Sequence, residues 1–206
     1  MTNLNQDLTL GKAIANALFP IADYKLRRGV HLSIEDVELY DFVKLNFSEL
    51  APFYRRYEAE LLDGAEGYFY LVSQGAIFGQ RQLSKGEMLV ALTIAHLFRD
   101  PEHRVRGTGE ISADHVISHL EALKTMEDIA RVMTETRVKA DLHPARMREA
   151  VLDAIKKLAA LNFLHLLDST GARFRCKRPI HRFDQFVAQI DPVTVPVEAE
   201  ANHENE

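Results

Sequence analysis

Glu60-Leu-Leu-Asp-Gly-Ala-Glu-Gly-Tyr-Phe-Tyr-Leu-Val72 sets two short apolar runs on either side of Asp63-Gly64 and Gly67. Such runs around a glycine-bearing turn mark a β-hairpin, because glycine adopts the positive φ that tight turns demand. Upstream, Val30-His31-Leu32 is short and reads as extended. Val37, Tyr40, Phe42, Val43 and Leu45 follow at helical spacing. Ser33-Ile-Glu-Asp36 resembles the cap of that helix, with Asp where Glu is commoner. A second helix is predicted over about 47–57, through Leu50, Phe53 and Tyr54, with Pro52 marking its first turn. An extended segment, two helices and a hairpin, in that order, is the plan of a winged helix.

Working outward, Ile14, Ala17, Leu18, Ile21 and Ala22 form the stripe of an N-terminal helix over 8–26. Pro20 breaks or kinks it and Gly29 ends it. Downstream, Ser84-Lys-Gly-Glu87 is a capping box that opens a buried helix to Phe98, closed by Asp100-Pro101. Residues 104–109 are polar and glycine-bearing, as a domain boundary is. The order then recurs. Ile111-Ser112 precedes a helix over 113–123, a connecting segment covers 126–133, and a long helix runs from about Pro144 to Leu161. Phe163-Leu-His-Leu-Leu167 and Arg173-Phe-Arg-Cys176 flank a turn at 168–172, which makes a second hairpin. The predicted fold is mostly α with small β-wings, as tandem winged-helix domains. Residues 1–100 form the first, with a closing helix; 101–110 are a linker; 111–190 form the second. Residues 191–206, with Pro192, Pro196 and five acids, are a disordered acidic tail.

Apolar residues make up 47% of the 206, enough to build a core and to argue against a disordered chain. The single cysteine, Cys176, excludes an intramolecular disulfide and fits a reducing compartment. It reads as a plain strand residue, since no partner for a nucleophile is identifiable. The first residues do not have the pattern of a signal peptide, and no apolar run is long enough to span a bilayer. A cytoplasmic protein without membrane contact is expected. The rings of Tyr54, Tyr57, Tyr68 and Tyr70 suit either a subunit interface or the core of the first domain.

Motifs for chemistry are weak. His115 and His119 share a helix face at metal-ligand spacing, but no third ligand or general base accompanies them, so they read as surface histidines. Gly107-Thr-Gly109 lacks the third glycine, the lysine and the strand of a phosphate loop, and reads as linker. No cofactor, no metal and no catalysis are expected. The net charge of −5 hides a segregation, however. Residues 137–183 carry eleven Lys/Arg against four Asp/Glu, a surplus of seven on an otherwise acidic chain. Arg146, Arg148, Lys156 and Lys157 lie on the predicted recognition helix of the second domain. Arg173, Arg175, Lys177 and Arg178 lie in or beyond its wing, with alternation placing Arg173 and Arg175 on one strand face. Helix plus wing is a cradle for phosphates, so these eight are the candidate contacts for duplex DNA. The same cations also suit an ordinary solvated surface. Residues 143–161 hold no Asn or Gln on the helix face, so the expected binding is non-specific.

Ala13-Ile-Ala-Asn-Ala-Leu-Phe-Pro20, Leu26-Arg-Arg-Gly-Val-His-Leu32, Phe53-Tyr-Arg-Arg-Tyr-Glu-Ala-Glu-Leu61 and Glu66-Gly-Tyr-Phe-Tyr-Leu71 together resemble the MukE family, to which MksE is related. The likeness covers residues 13–100 in order and spacing. Segments 158–163 and 180–184 are similar in kind. The resemblance implies tandem winged helices, a homodimer, and binding to the kleisin MukF or its Mks counterpart. Through the kleisin it implies association with an SMC-type ATPase that organises chromosomes at the nucleoid, as in the MukBEF condensin. It implies no catalysis and leaves room for DNA contact. A two-domain winged-helix transcription regulator is the competing class. A regulator would carry a basic recognition helix in its first domain, where only Arg55 and Arg56 stand.

Overall fold

The computed structural model of the chain describes residues 3–64, 66–75, 83–99, 109–123, 144–184 and 186. The connecting segment 126–133, most of the expected linker and the acidic tail lie outside them.

Of the two expected outcomes, a break or a kink, the N-terminal stripe shows a break, into α1 (Asn3–Ala15) and α2 (Phe19–Arg27). The break falls at 16–18, where the Asn16 side chain accepts from the Leu18 N–H at 2.8 Å. Pro20 therefore lies in the first turn of α2, where its missing N–H leaves no intrahelical bond unmade. Gly29, at φ 77°, ends α2 with its N–H on Leu26, and Val30 returns to Lys25.

The chain then runs through β1 (Leu32–Ser33), α3 (Val37–Leu45), α4 (Phe47–Arg55), β2 (Ala59–Gly64) and β3 (Tyr68–Ser73). The expected cap differs: Ser33 is in β1, its hydroxyl bonds the Glu35 carboxylate, and Asp36 precedes α3 without a side-chain cap. Pro52 lies inside α4 rather than in its first turn. β2 and β3 form the expected hairpin, turning through Gly67 at φ 82°. At Gly64 a Cβ would stand 2.3 Å from the Tyr68 ring, so the strand end accommodates only glycine. The sheet order is β1-β3-β2, all antiparallel. Its inner face contributes Leu32, Ala59, Leu61, Phe69 and Leu71 to a core shared with Leu26, Val43, Leu50 and Tyr54. Tyr54 is thus a core residue, Tyr68 is buried on the opposite sheet face, and Tyr57 stays partly exposed.

The second half comprises α5 (Lys85–Arg99), β4 (Glu110–Ser112), α6 (Ala113–Leu123), α7 (Pro144–Ala160), β5 (Leu164–Leu166), β6 (Arg173–Cys176) and a 3-10 helix (Arg178–Phe183). The capping box is formed reciprocally: Glu87 N–H donates to Ser84 Oγ at 3.2 Å, and Ser84 N–H to Glu87 Oε2 at 3.1 Å. The sheet order is β4-β6-β5, the same order relative to sequence as in the first half. A second core gathers Val116, Leu120, Val151, Ile155, Leu158 and Phe174.

Val90, Ala91, Ile94, Ala95 and Leu97 of α5 belong to this second core. α5, which the sequence reading takes as the closing helix of the first domain, therefore packs in the second core. The capping box marks the start of α5 but carries no information on its partner. Its buried face matches α7, α6 and the 3-10 helix, all of which lie later in the chain.

Candidate functional site

The eight basic candidates divide by what they touch. On α7, the Arg148 guanidinium lies 3.3 Å from Asp114 of α6. Lys157 Nζ donates at 2.7 Å to Glu87 of α5, whose side chain is only 8% exposed. In the wing, Arg173 and Arg175 share the outer strand face, as alternation predicts, with Phe174 buried between them. Arg175 pairs at 2.9 Å with Glu110, its cross-strand neighbour on β4. Arg173 stands 3.8 Å from Asp168 in the hairpin turn. That carboxyl is held down to about 2 by the Thr170 hydroxyl and by N–H groups of Ala172, Arg173 and Thr170, with desolvation opposing. Arg146 and Lys156 are exposed, and among the described residues neither shows an ion pair. Lys156 runs beside the wing turn, 3.4 Å from where a Gly171 Cβ would lie.

Lys177 and Arg178 reach elsewhere, to the first unit. Lys177 Nζ donates to Asn162 Oδ1 at 2.6 Å and lies 4.0 Å from Asp36, and Arg178 lies 3.8 Å from Glu66. They belong to a polar joint between the units that the sequence reading missed. Asn162 follows α7 with φ 70°, and its amide donates to the His31 carbonyl at 2.7 Å and to Asp36 Oδ2 at 2.6 Å. His31 N–H and Nδ1 both approach the Leu161 carbonyl at 3.1 Å. Arg182 Nη1 lies 3.0 Å from His31 Nε2, and its guanidinium stacks 4.4 Å over the Tyr70 ring. A guanidinium only donates, so Nε2 accepts and the imidazole proton sits on Nδ1, facing Leu161. Phe163 closes the joint, its ring 4.3 Å from His31. Burial, with Arg182 second, pushes His31 down to about 3; the Leu161 bond opposes this. Burial also pushes Tyr68 up to about 12.

Asn just beyond a helical stripe is a recognisable C-terminal cap, and that signal is present at Asn162. Its second role was not legible, because its partners lie about 130 residues away. Segments 26–32, 66–71, 158–163 and 180–184, each of which carries part of the family likeness, meet here.

Of the remaining candidates, His115 is exposed and His119 is half-buried, its ring 4.9 Å from His96. Among the described residues no group of three or more His, Cys, Asp or Glu is placed to hold a metal. Burial raises the Cys176 thiol to about 12, leaving it protonated at neutral pH. No helix among them is long and apolar enough to cross a membrane.

The family model described as MukE-like family matches residues 6–198 of the chain. The chain is similar to the chromosome partition protein MukE of Histophilus somni (strain 2336), at 33% identity over 205 residues, 97% of this chain and 81% of the relative. It is similar to that of Vibrio parahaemolyticus serotype O3:K6 at 31% over 185 residues, covering 89% and 79% respectively. It is also similar to that of Yersinia pestis at 28% over 183 residues, covering 88% and 78%.

Proposed function

The chain belongs to the MukE-like family, and we propose from that membership that it is a non-catalytic, kleisin-binding subunit of a bacterial SMC–kleisin complex of the MukBEF or Mks type. In this reading it acts in the cytoplasm at the nucleoid, in chromosome organisation and segregation. The observation that carries the proposal is the extent of the match, residues 6–198, which covers both units and the joint between them. Each unit is read as a winged helix, supported by the shared sheet order. In the first unit, strand, two helices and hairpin follow in sequence. A homodimer is part of the reading, and Ile21, Tyr24, Val37 and Leu45, exposed by 49–81%, are apolar surface on the first unit suited to covering. Size-exclusion chromatography with a MukF-type kleisin is the test. Co-elution, with recruitment of a long coiled-coil ATPase through the kleisin, is expected; separate elution at micromolar concentration would end the proposal.

Non-specific DNA contact is the second element, centred on Arg146, Arg148, Lys156, Arg173 and Arg175. Surface pairs such as Arg148–Asp114 and Arg175–Glu110 are worth about 0–1 kcal/mol, so a phosphate can displace the carboxylate. Lys157 and Lys177 are less available, being held by the nearly buried Glu87 and by Asn162 and Asp36, whereas the exposed Arg178–Glu66 pair is as displaceable as the others. Replacing Arg146 and Lys156 by Glu should weaken DNA association of the assembled complex. The log–log salt slope should fall by about 0.9 for each phosphate no longer neutralised. Unchanged association at low salt would make this face ordinary solvated surface. Discrete sequence-specific sites across a genome would instead favour a transcription regulator.

A further inference from the structure

The joint between the units accepts only a neutral imidazole. His31 is 1% exposed, with Nδ1 on the Leu161 carbonyl and Nε2 facing the Arg182 guanidinium at 3.0 Å. A proton on Nε2 removes the acceptor that Arg182 uses and sets two cations side by side away from water. The groups around the ring offer no compensation. β3 presents the Tyr68 and Tyr70 phenols, and the segment after α7 presents a carbonyl, the Asn162 amide and Phe163. From the turn before α3, Asp36 is engaged by Asn162 and Lys177. On the 3-10 helix, Asp184 is held by His181 at 2.9 Å, and Glu66 beside the β2–β3 turn pairs with Arg178. Among the described residues, no carboxylate touches the imidazole.

We propose that this joint is a protonation-controlled latch: with His31 neutral the two units are held as one body, and a proton on Nε2 parts them. The two units retain separate apolar cores, so parting need not unfold either. Parting frees Lys177, Arg178 and Arg182 from Asp36, Glu66 and His31 together, and so uncovers Lys177 and Arg182 and unpairs the already exposed Arg178 on the second unit. The latch does not depend on whether those cations meet DNA.

Hydrogen exchange on the full-length chain tests it. The His31 N–H, bonded across the joint to Leu161, reports parting. The Ile155 N–H, inside α7 in the second core, reports unfolding of that unit. His31 should open with a larger equilibrium constant than Ile155. After correction for intrinsic rates, that constant should rise about thirtyfold between about pH 7.5 and about pH 5, as follows from values of 6.5 when open and about 3 when closed. His31→Gln should remove the rise. If His31 and Ile155 share one opening constant at both pH values, parting occurs only by unfolding and the latch is refuted. A constant that does not rise refutes it equally. A direct NMR titration of the native imidazole serves if His31→Gln fails to fold: His31 should stay neutral at about pH 5, and titration near 6.5 in the closed protein would overturn the proposal.

Discussion

Replacing Asn162 by Ala tests the joint at its most connected side chain. Asn162 donates at 2.7 Å to the His31 carbonyl and at 2.6 Å to the Asp36 carboxylate, and it accepts at 2.6 Å from the Lys177 ammonium. Two of the three partners are charged. Bonds to charged groups contribute about 1.5–3 kcal/mol and a neutral one about 0.5–1.5. Asp36 and Lys177 are partly open to water, with side chains 26% and 18% exposed, so water replaces part of what is lost and the low end applies. Together the three bonds are worth roughly 3–3.5 kcal/mol. Backbone geometry adds a separable term. At φ 70° a Cβ-bearing residue without a local polar side chain is strained by about 1 kcal/mol, and Gly is not. Asn162→Gly should therefore lose about 3 kcal/mol and Asn162→Ala about 4, read by urea unfolding at neutral pH with linear extrapolation. A loss under about 1 kcal/mol for Asn162→Gly would show that the units are not held through this side chain. Equal losses for Ala and Gly would show that the positive φ relaxes, and the strain argument would fall.

Acid should weaken the folded chain through His31. Its folded value lies near 3 and its unfolded value at 6.5, so the unfolded state binds the extra proton. The stability is full above about pH 6.5 and is lost as pH falls toward 3, with about 2 kcal/mol gone by about pH 5. Urea midpoints measured across that range should fall accordingly, and the dependence should flatten in His31→Gln. Lys157→Ala should cost about 1–2 kcal/mol by depriving the nearly buried Glu87 carboxylate of a partner, whereas Lys156→Ala should stay within about 0.5; equal effects would contradict the assigned geometry. Cys176 should react negligibly with a thiol reagent at neutral pH in the native chain and with full stoichiometry in denaturant. Rapid native labelling would show that the thiol is not buried.

Local signals carry the secondary structure far. Glycine at 67, the runs on either side of it, and the Ser84–Glu87 capping box each act within a few residues, so reading them requires no knowledge of the fold. The alternation that puts Arg173 and Arg175 outward and Phe174 inward is likewise a property of any strand. The differences between expectation and structure have a common character. Pro20 has the signature of a break or a kink, and the break falls a few residues earlier, at 16–18. Ser33 has the signature of a cap, but β1 claims it. In each case two local options compete, and packing chooses between them.

Periodicity, turn chemistry and counting are enough to establish most of the elements, their order, and the concentration of positive charge in the second half. Packing in three dimensions settles which core receives α5 and which cations face a carboxylate. It also brings His31 and Asn162, about 130 residues apart, into one polar joint. Those outcomes depend on long-range pairings that no window of sequence contains. A buried charge or imidazole is defined by what the fold brings against it, and the residue's own neighbours along the chain do not supply that partner.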